Sequence, residues 1–187
     1  MDPGGPRVSQ EIARTKPSRP CVEILLGLVT DRMLAGEAPR VLDFGAGRGA
    51  DVRFLRSIGV QAKAYDPIHG PPKIPGGLFD LVSLIYVLNV VPRAERPQIM
   101  RQVAAKTAPG GLVLVAVRPA DEVTRQAEAS GWPVVEPGGY LPTGSTYQGA
   151  IPRAELVALG TAAGLRVVSL RSPAKMTAAL FAKPAAR

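Results

Sequence analysis

Sulfur and imidazole chemistry have almost nothing to work with in this chain, which holds one cysteine, Cys21, and one histidine, His69, among 187 residues. A lone cysteine excludes an internal disulfide and a cysteine-based metal cluster within one chain, and a lone histidine argues against a histidine-built metal site. Aromatic residues are scarce at 5 %. No window approaches the roughly 18 consecutive apolar residues of a membrane helix, so no membrane association is expected. The opening MDPGGPRVSQEIARTKPSRP lacks the apolar core and small cleavage residues of a secretory signal, which makes a cytoplasmic location the expectation. Acidic side chains are in the minority, 15 against 23 basic ones, for a net charge of +8. That excess favours anionic partners, nucleic acid among them. However, Arg7, Arg14, Lys16, Arg19, Lys183 and Arg187 sit near the ends of the chain, and no aromatics interleave with a dense basic run. The charge therefore reads as solvated surface, with a weak phosphate-tracking role as the alternative.

What is present is an ordinary apolar content of 46 % and an alternation of short apolar runs with helical patterns. Residues 1–20, rich in Pro, Gly and charge, read as a flexible lead-in, and 21–187 as one domain. The spacing predicts a helix over 21–36, a strand over 40–44, a helix over 50–58 and a strand over 60–66. After the Pro- and Gly-rich 67–78 come a buried strand and its exit over 79–91, a helix over 95–108 and a strand over 112–118. Helices are expected over 121–131 and 153–164, and two closing strands over 165–172 and 176–183, whose short link suits an antiparallel hairpin. The pattern is that of an α/β chain with a Rossmann-like, doubly wound, mostly parallel sheet and an antiparallel C-terminal strand. Residues 132–152 read as irregular, the kind of stretch that forms a lid or substrate loop.

VLDFGAGRG, residues 41–49, sets glycines at 45, 47 and 49 straight after an apolar run. Such spacing lets the backbone turn left-handed or a ligand approach it closely, so the stretch reads as a ligand-holding strand-to-helix turn. Gly45, Gly47 and Ala50 satisfy the dinucleotide pattern, but Asp43 would set a carboxylate against a pyrophosphate. The same carboxylate suits a ligand with an ammonium and a sulfonium, which is S-adenosylmethionine. Asp66 follows at about the twenty-residue spacing of a ribose-binding acid, where it would accept from both ribose hydroxyls. A helix cap for Asp43 and a turn residue for Asp66 are the plainer readings.

These segments resemble the class I S-adenosylmethionine-dependent methyltransferases. VLDFGAGRG is similar to their first motif, YDP to the acidic end of their second strand, FDLVSLIYVLNVVP to the fourth strand and its exit, and APGGLVLVAV to the fifth. The resemblance covers residues 40–118, and the closing strand pair is compatible with that family's reversed final strand. Within the family, GAGRGADVRFLRSIGVQAKAYDP, YVLNVVPRAER and TYQ followed by AEL are similar to methyltransferases associated with DNA phosphorothioation systems. The resemblance implies S-adenosylmethionine as cofactor, with Gly45, Ala46, Gly47 and Gly49 in close approach, Asp43 near the amino group, and Asp66 and Pro67 at the ribose. One departure is plain: where many members place a third strand ending in an acid for the adenine amine, this chain has PIHGPPKIPGGL. Backbone groups or apolar side chains such as Ile68 are then left to meet the adenine.

In-line methyl displacement gains rate from alignment and exclusion of water, so the absence of a catalytic histidine is no objection. Tyr86 and Asn89, at the exit of the fourth strand of the resemblance, are the candidate positioning residues, Tyr86 with its ring toward the sulfonium and Asn89 hydrogen-bonding an acceptor. A core aromatic and a turn residue are their plainer readings. Tyr140, Tyr147 and Gln148 are candidate substrate contacts, or pins that hold the loop on the domain together with Trp132. His69 reads as a surface loop residue and Cys21 as a structural thiol. The acceptor expected is a small molecule or a nucleic-acid-linked group; a noncatalytic cofactor-binding module and a nicotinamide oxidoreductase are the alternatives.

Overall fold

The computed structural model describes residues 14–142, 146–172 and 175–185. One six-stranded sheet organises them, in the order β2-β1-β3-β4-β9-β8. Its strands are β1 (Arg40–Phe44), β2 (Gln61–Tyr65), β3 (Phe79–Ile85), β4 (Thr107–Val117), β8 (Arg166–Arg171) and β9 (Thr177–Ala182). The first four run parallel, while β9 lies antiparallel between β4 and β8. The mostly parallel, doubly wound sheet with a reversed C-terminal strand is therefore the architecture of the molecule. A parallel sheet buries both faces, and the central strands are accordingly apolar throughout. Leu42 and Phe44 of β1 pack toward α3 (Arg96–Lys106) and α5 (Arg153–Ala162). Val41 packs the other way, with α1 (Leu26–Leu34) and α2 (Ala50–Ser57).

Element ends follow local chemistry. Gly59, at φ +85°, closes α2 with Val60 N–H donating to Leu55 O at 3.1 Å. Pro97 stands in the first turn of α3, where its missing donor costs nothing. Gly160 lets α5 lie on the sheet, since a Cβ there would meet the Phe181 ring at 2.2 Å.

Three expectations need correction. Part of the lead-in is packed: Ser18 is buried, and its N–H and hydroxyl both donate to the Asp51 carboxylate of α2. Helix begins just after it, passing through a π-helical turn at Cys21–Leu25 before α1. Residues 1–13 of the lead-in lie outside the described residues. The strand expected from 112 starts at Thr107, because Phe79 pairs with Thr107 before a bulge shifts the register. The stretch 132–152 is not irregular throughout: after α4 (Ala120–Ala129) it carries β5 (Val134–Glu136), β6 (Gly139–Tyr140) and β7 (Gln148–Gly149) as a small antiparallel sheet. Strands of two or three residues are too short to leave an alternation in the sequence. No helix among the described residues is long and apolar enough to cross a membrane.

Candidate functional site

The turn between β1 and α2 bends left-handed three times, with φ of +84°, +53° and +75° at Gly45, Gly47 and Gly49. Side chains disfavour that region, which accounts for all three glycines. Gly45 has a second reason: a Cβ would lie 2.2 Å from Val87 Cγ2, at the exit of β3. The close approach anticipated from a ligand is thus partly made by the protein itself. The turn is braced from β2, as Tyr65 O accepts from Gly45 N–H at 2.7 Å and Ala46 N–H at 3.0 Å.

A cavity of about 840 Å³ lies over the C-terminal ends of β1, β2 and β3, where open α/β sheets bind ligands. Gly45, Gly47, Asp66, Pro67, Tyr86 and Asn89 line it, and so does Gln148 from β7. The other expected contacts do not reach its wall. Ala46 packs into the core beside α2, and Gly49 caps that helix. Asp43 is 3 % exposed and accepts from Ser83 Oγ at 2.7 Å, beneath the turn rather than in the cavity. Burial, and next the nearby Asp51 charge, push its carboxyl up from 3.8 to about 7 despite the Ser83 bond.

Asp66 is oriented by backbone donors. Oδ2 accepts from Gly47 N–H at 2.8 Å, while Oδ1 accepts from Ile68 and His69 N–H at 2.9 and 2.8 Å. A carboxylate oxygen takes about two donors, so Oδ1 is filled and Oδ2 keeps one place. One ribose hydroxyl, not two, can therefore be added without displacing a backbone bond.

Tyr86 sits at φ +60°, an uncommon conformation for an aromatic residue, at the end of β3. Its N–H donates to Ala116 O at 2.8 Å, and the Arg14 guanidinium stands 5.9 Å from its ring centroid. Burial raises the phenol above its ordinary value, so it remains protonated at neutral pH. Asn89 is fully enclosed and works as a clamp: Nδ2 donates to Gly149 O and Oδ1 accepts from Arg118 N–H, each at 2.9 Å.

The tyrosines expected at the substrate are fastenings instead. Tyr140 donates to Thr124 Oγ1 of α4 at 3.4 Å. Tyr147, 2 % exposed, donates to Glu136 and accepts from Arg96 Nη2 at 3.0 Å. Arg96 is equally buried and pairs with Glu155 Oε1 at 2.7 Å. The Tyr147 bond, with support from Arg93 and Arg96, holds the Glu136 carboxyl below its ordinary range. No periodicity marks Arg96 as buried; the arginine of RAER reads like any exposed charge at a helix start.

Other cavity residues escaped the sequence reading. Arg118, just past β4, donates to Gln148 Oε1 at 3.4 Å, Glu122 at 3.1 Å and Gln126 at 2.6 Å. Arg14 sits over the cavity rather than in a solvated tail. Gln98 and Gln102 line it from α3, flanking Ile99. Their spacing of four residues, which sets them on one face of the helix beside Ile99, was the available signal. Cys21 is buried, and that burial raises its thiol well above the ordinary value, which leaves it inert.

A family model described as a methyltransferase domain matches residues 17–170. No curated protein matches the sequence. Among solved structures, the 1,6-didemethyltoxoflavin-N1-methyltransferase of Burkholderia thailandensis, with bound 1,6-didemethyltoxoflavin and S-adenosylhomocysteine, is 20 % identical with a TM-score of 0.65; the match covers 89 % of this chain and 77 % of that one. A SAM-dependent methyltransferase from Methanosarcina mazei is 18 % identical with a TM-score of 0.61, over 82 % of this chain and 98 % of that one. Magnesium protoporphyrin IX methyltransferase from Synechocystis PCC 6803, with bound SAH, is 15 % identical with a TM-score of 0.55, over 85 % and 81 % of the two chains. At these identities the likeness is one of fold.

Proposed function

Because the chain belongs to the methyltransferase-domain family, we propose that its cavity holds S-adenosylmethionine and that it methylates a small polar acceptor at the end lined by Arg118 and Gln148. The observation that carries this reading is the continuity of one cavity from Gly47 and Asp66, past Tyr86, to Arg118 and Gln148. The residues present fit the group. The Gly47 turn offers a wall free of side chains, and Asp66 Oδ2 keeps one acceptor place for a ribose hydroxyl. The volume of about 840 Å³ lies within the range of ligand pockets and leaves room for an acceptor. When bound, S-adenosylmethionine supplies a methyl on a sulfonium, which passes to the acceptor nucleophile and leaves S-adenosylhomocysteine.

The chain's own residues bind, align and exclude water. Tyr86, held left-handed and protonated, offers a ring face to a cation; Arg14 already uses that ring in the same way. Asp43 lies below the turn, hydrogen-bonded to Ser83 Oγ, and is assigned no contact with the ligand. Arg118 and Gln148 offer hydrogen bonds to a polar or anionic acceptor at the end of the cavity that Thr146 and Gln148 of the insert help to line. The narrower resemblance, to phosphorothioation-associated enzymes, runs through GAGRGADVRFLRSIGVQAKAYDP, YVLNVVPRAER, TYQ and AEL, the last three of which contain Arg96, Tyr147 and Glu155. Those three residues fasten the insert, while Gln148 of TYQ lines the cavity.

Titration calorimetry with S-adenosylmethionine, S-adenosylhomocysteine and NAD tests the cofactor assignment. Saturable binding of the first two, weakened by about ten- to a hundredfold in Asp66→Ala, is the expected result, as befits a charged hydrogen bond. NAD binding in their place would overturn it.

A further inference from the structure

The absent third strand leaves the adenine without its usual acidic partner, and the structure fills that position in another way. Residues 67–78 carry no strand; they run beside α3, where Lys106 Nζ donates to Pro75 O at 2.8 Å. Ile74 of this loop and Ile99 of α3 pack against the same core. The cavity extends between the two walls, with Pro67, Ile68 and His69 on the loop side and Gln98, Ile99 and Gln102 on the helix side. Asp66, the ribose candidate, stands at the root of that loop, so the space beyond it is where a base attached to the ribose would lie.

Gln98, exposed at the rim, and Gln102, half-buried, are one helical turn apart, and neither carboxamide has a protein hydrogen-bond partner among the described residues. Ile68 and Ile99 supply apolar surface on the loop and helix walls, suited to the faces of a flat ring. A carboxamide presents one acceptor and one donor side by side, which matches the exocyclic amine and adjacent ring nitrogen of adenine. A carboxylate could only accept.

We propose that Gln98 and Gln102 read the amine-bearing edge of the adenine, and that they replace the third-strand acid as the base-recognition element. The proposal rests on the S-adenosylmethionine reading above. It predicts a looser reader than an acid, because a carboxamide can rotate to present its donor to a carbonyl at the same ring position. S-inosylhomocysteine should then bind within about tenfold of S-adenosylhomocysteine. The analogue with unsubstituted purine, which lacks the exocyclic group, should bind about ten- to a hundredfold more weakly, as expected for loss of a paired base contact.

The experiment is calorimetry of the wild type, Gln98→Ala/Gln102→Ala and Gln102→Glu with those three ligands, each variant first checked by thermal unfolding. The double variant should bind all three ligands with similar, reduced affinity, so that its preference for the amine disappears. Gln102→Glu should keep the adenosyl ligand and reject the inosyl one. If the folded wild type binds none of the ligands, the cofactor reading fails. If the wild type binds S-adenosylhomocysteine and the double variant retains both its affinity and its preference for the exocyclic amine, the cofactor reading stands and the glutamine assignment is wrong.

Discussion

Around the glycine turn, the acid that faces the cavity comes from a nearby segment and keeps capacity free, whereas Asp43 beneath the turn is spent on Ser83. Gly47 and Asp66, 19 residues apart, meet through one hydrogen bond and keep an acceptor place open. Around the insert β5–β7, polar groups come from distant segments and are spent on one another. Arg96 and Tyr147 are 51 residues apart, Asn89 and Gly149 are 60 apart, and each pair is buried. The first region is organised to receive something and the second to hold still. A tyrosine in a loop over a cavity is therefore poor evidence for substrate contact until the destination of its hydroxyl is known.

Breaking the fastened region should have the largest effect. Arg96→Ala leaves Tyr147 with Glu136 alone and Glu155 with only its longer pairing to Arg93 at 3.7 Å, and should lower stability by about 2–3 kcal/mol, read from chemical denaturation. If the loss stays below about 1 kcal/mol, the Arg96 network is no more than a surface pairing.

Asp43 sharpens the contrast from the turn side. Its carboxyl titrates at about 7 in the fold against 3.8 ordinarily, so between these values the unfolded chain has released a proton that the folded chain keeps. Stability must therefore fall as pH rises through this window, with Asp43 contributing about 1.4 kcal/mol per pH unit near pH 5.5. Below the window both states are protonated, and above it the penalty is constant. Asp43→Asn should flatten denaturation midpoints measured from pH 5 to 7; an unchanged slope would assign the pH dependence to other groups.

The smallest effect is expected for Tyr147→Phe. It removes one hydroxyl but leaves Glu136 its bond from Arg93 N–H at 2.9 Å and Arg96 its ion pair with Glu155. A stability loss of about 1 kcal/mol is expected by denaturation, with S-adenosylhomocysteine affinity unaltered by calorimetry. A large loss of cofactor affinity would show that the two regions are coupled.

The sheet, the glycine turn and the missing third strand were legible because each is written in local chemistry: apolar runs, alternate glycines, and a Pro-Gly stretch that supports no strand. Asp66 was legible for the same reason, although its two contacts with its own loop were not. The insert was opaque because its order comes from pairing across the chain. Arg96, Tyr147 and Glu136 are unremarkable one at a time, and only the fold brings them together. The burial of Asp43 was available from alternation within β1: Val41 and Asp43 share the face toward α1 and α2, beneath the turn.

Losing a strand also moves a frontier. With no neighbour beyond it among the described residues, β2 becomes the outer margin of the sheet, and its edge groups, apart from Ala62 O, which accepts from Arg56 Nε at 2.9 Å, invite another chain to zip on. The margin is guarded: β2 is only five residues long, and Gln61 and Lys63 stand exposed along it. At the opposite margin β8 carries Arg166 and Arg171 at its two ends, also exposed. Part of the basic excess thus has a colloidal use, since an ammonium or guanidinium buried between two stacked margins would cost more than the new ladder returns.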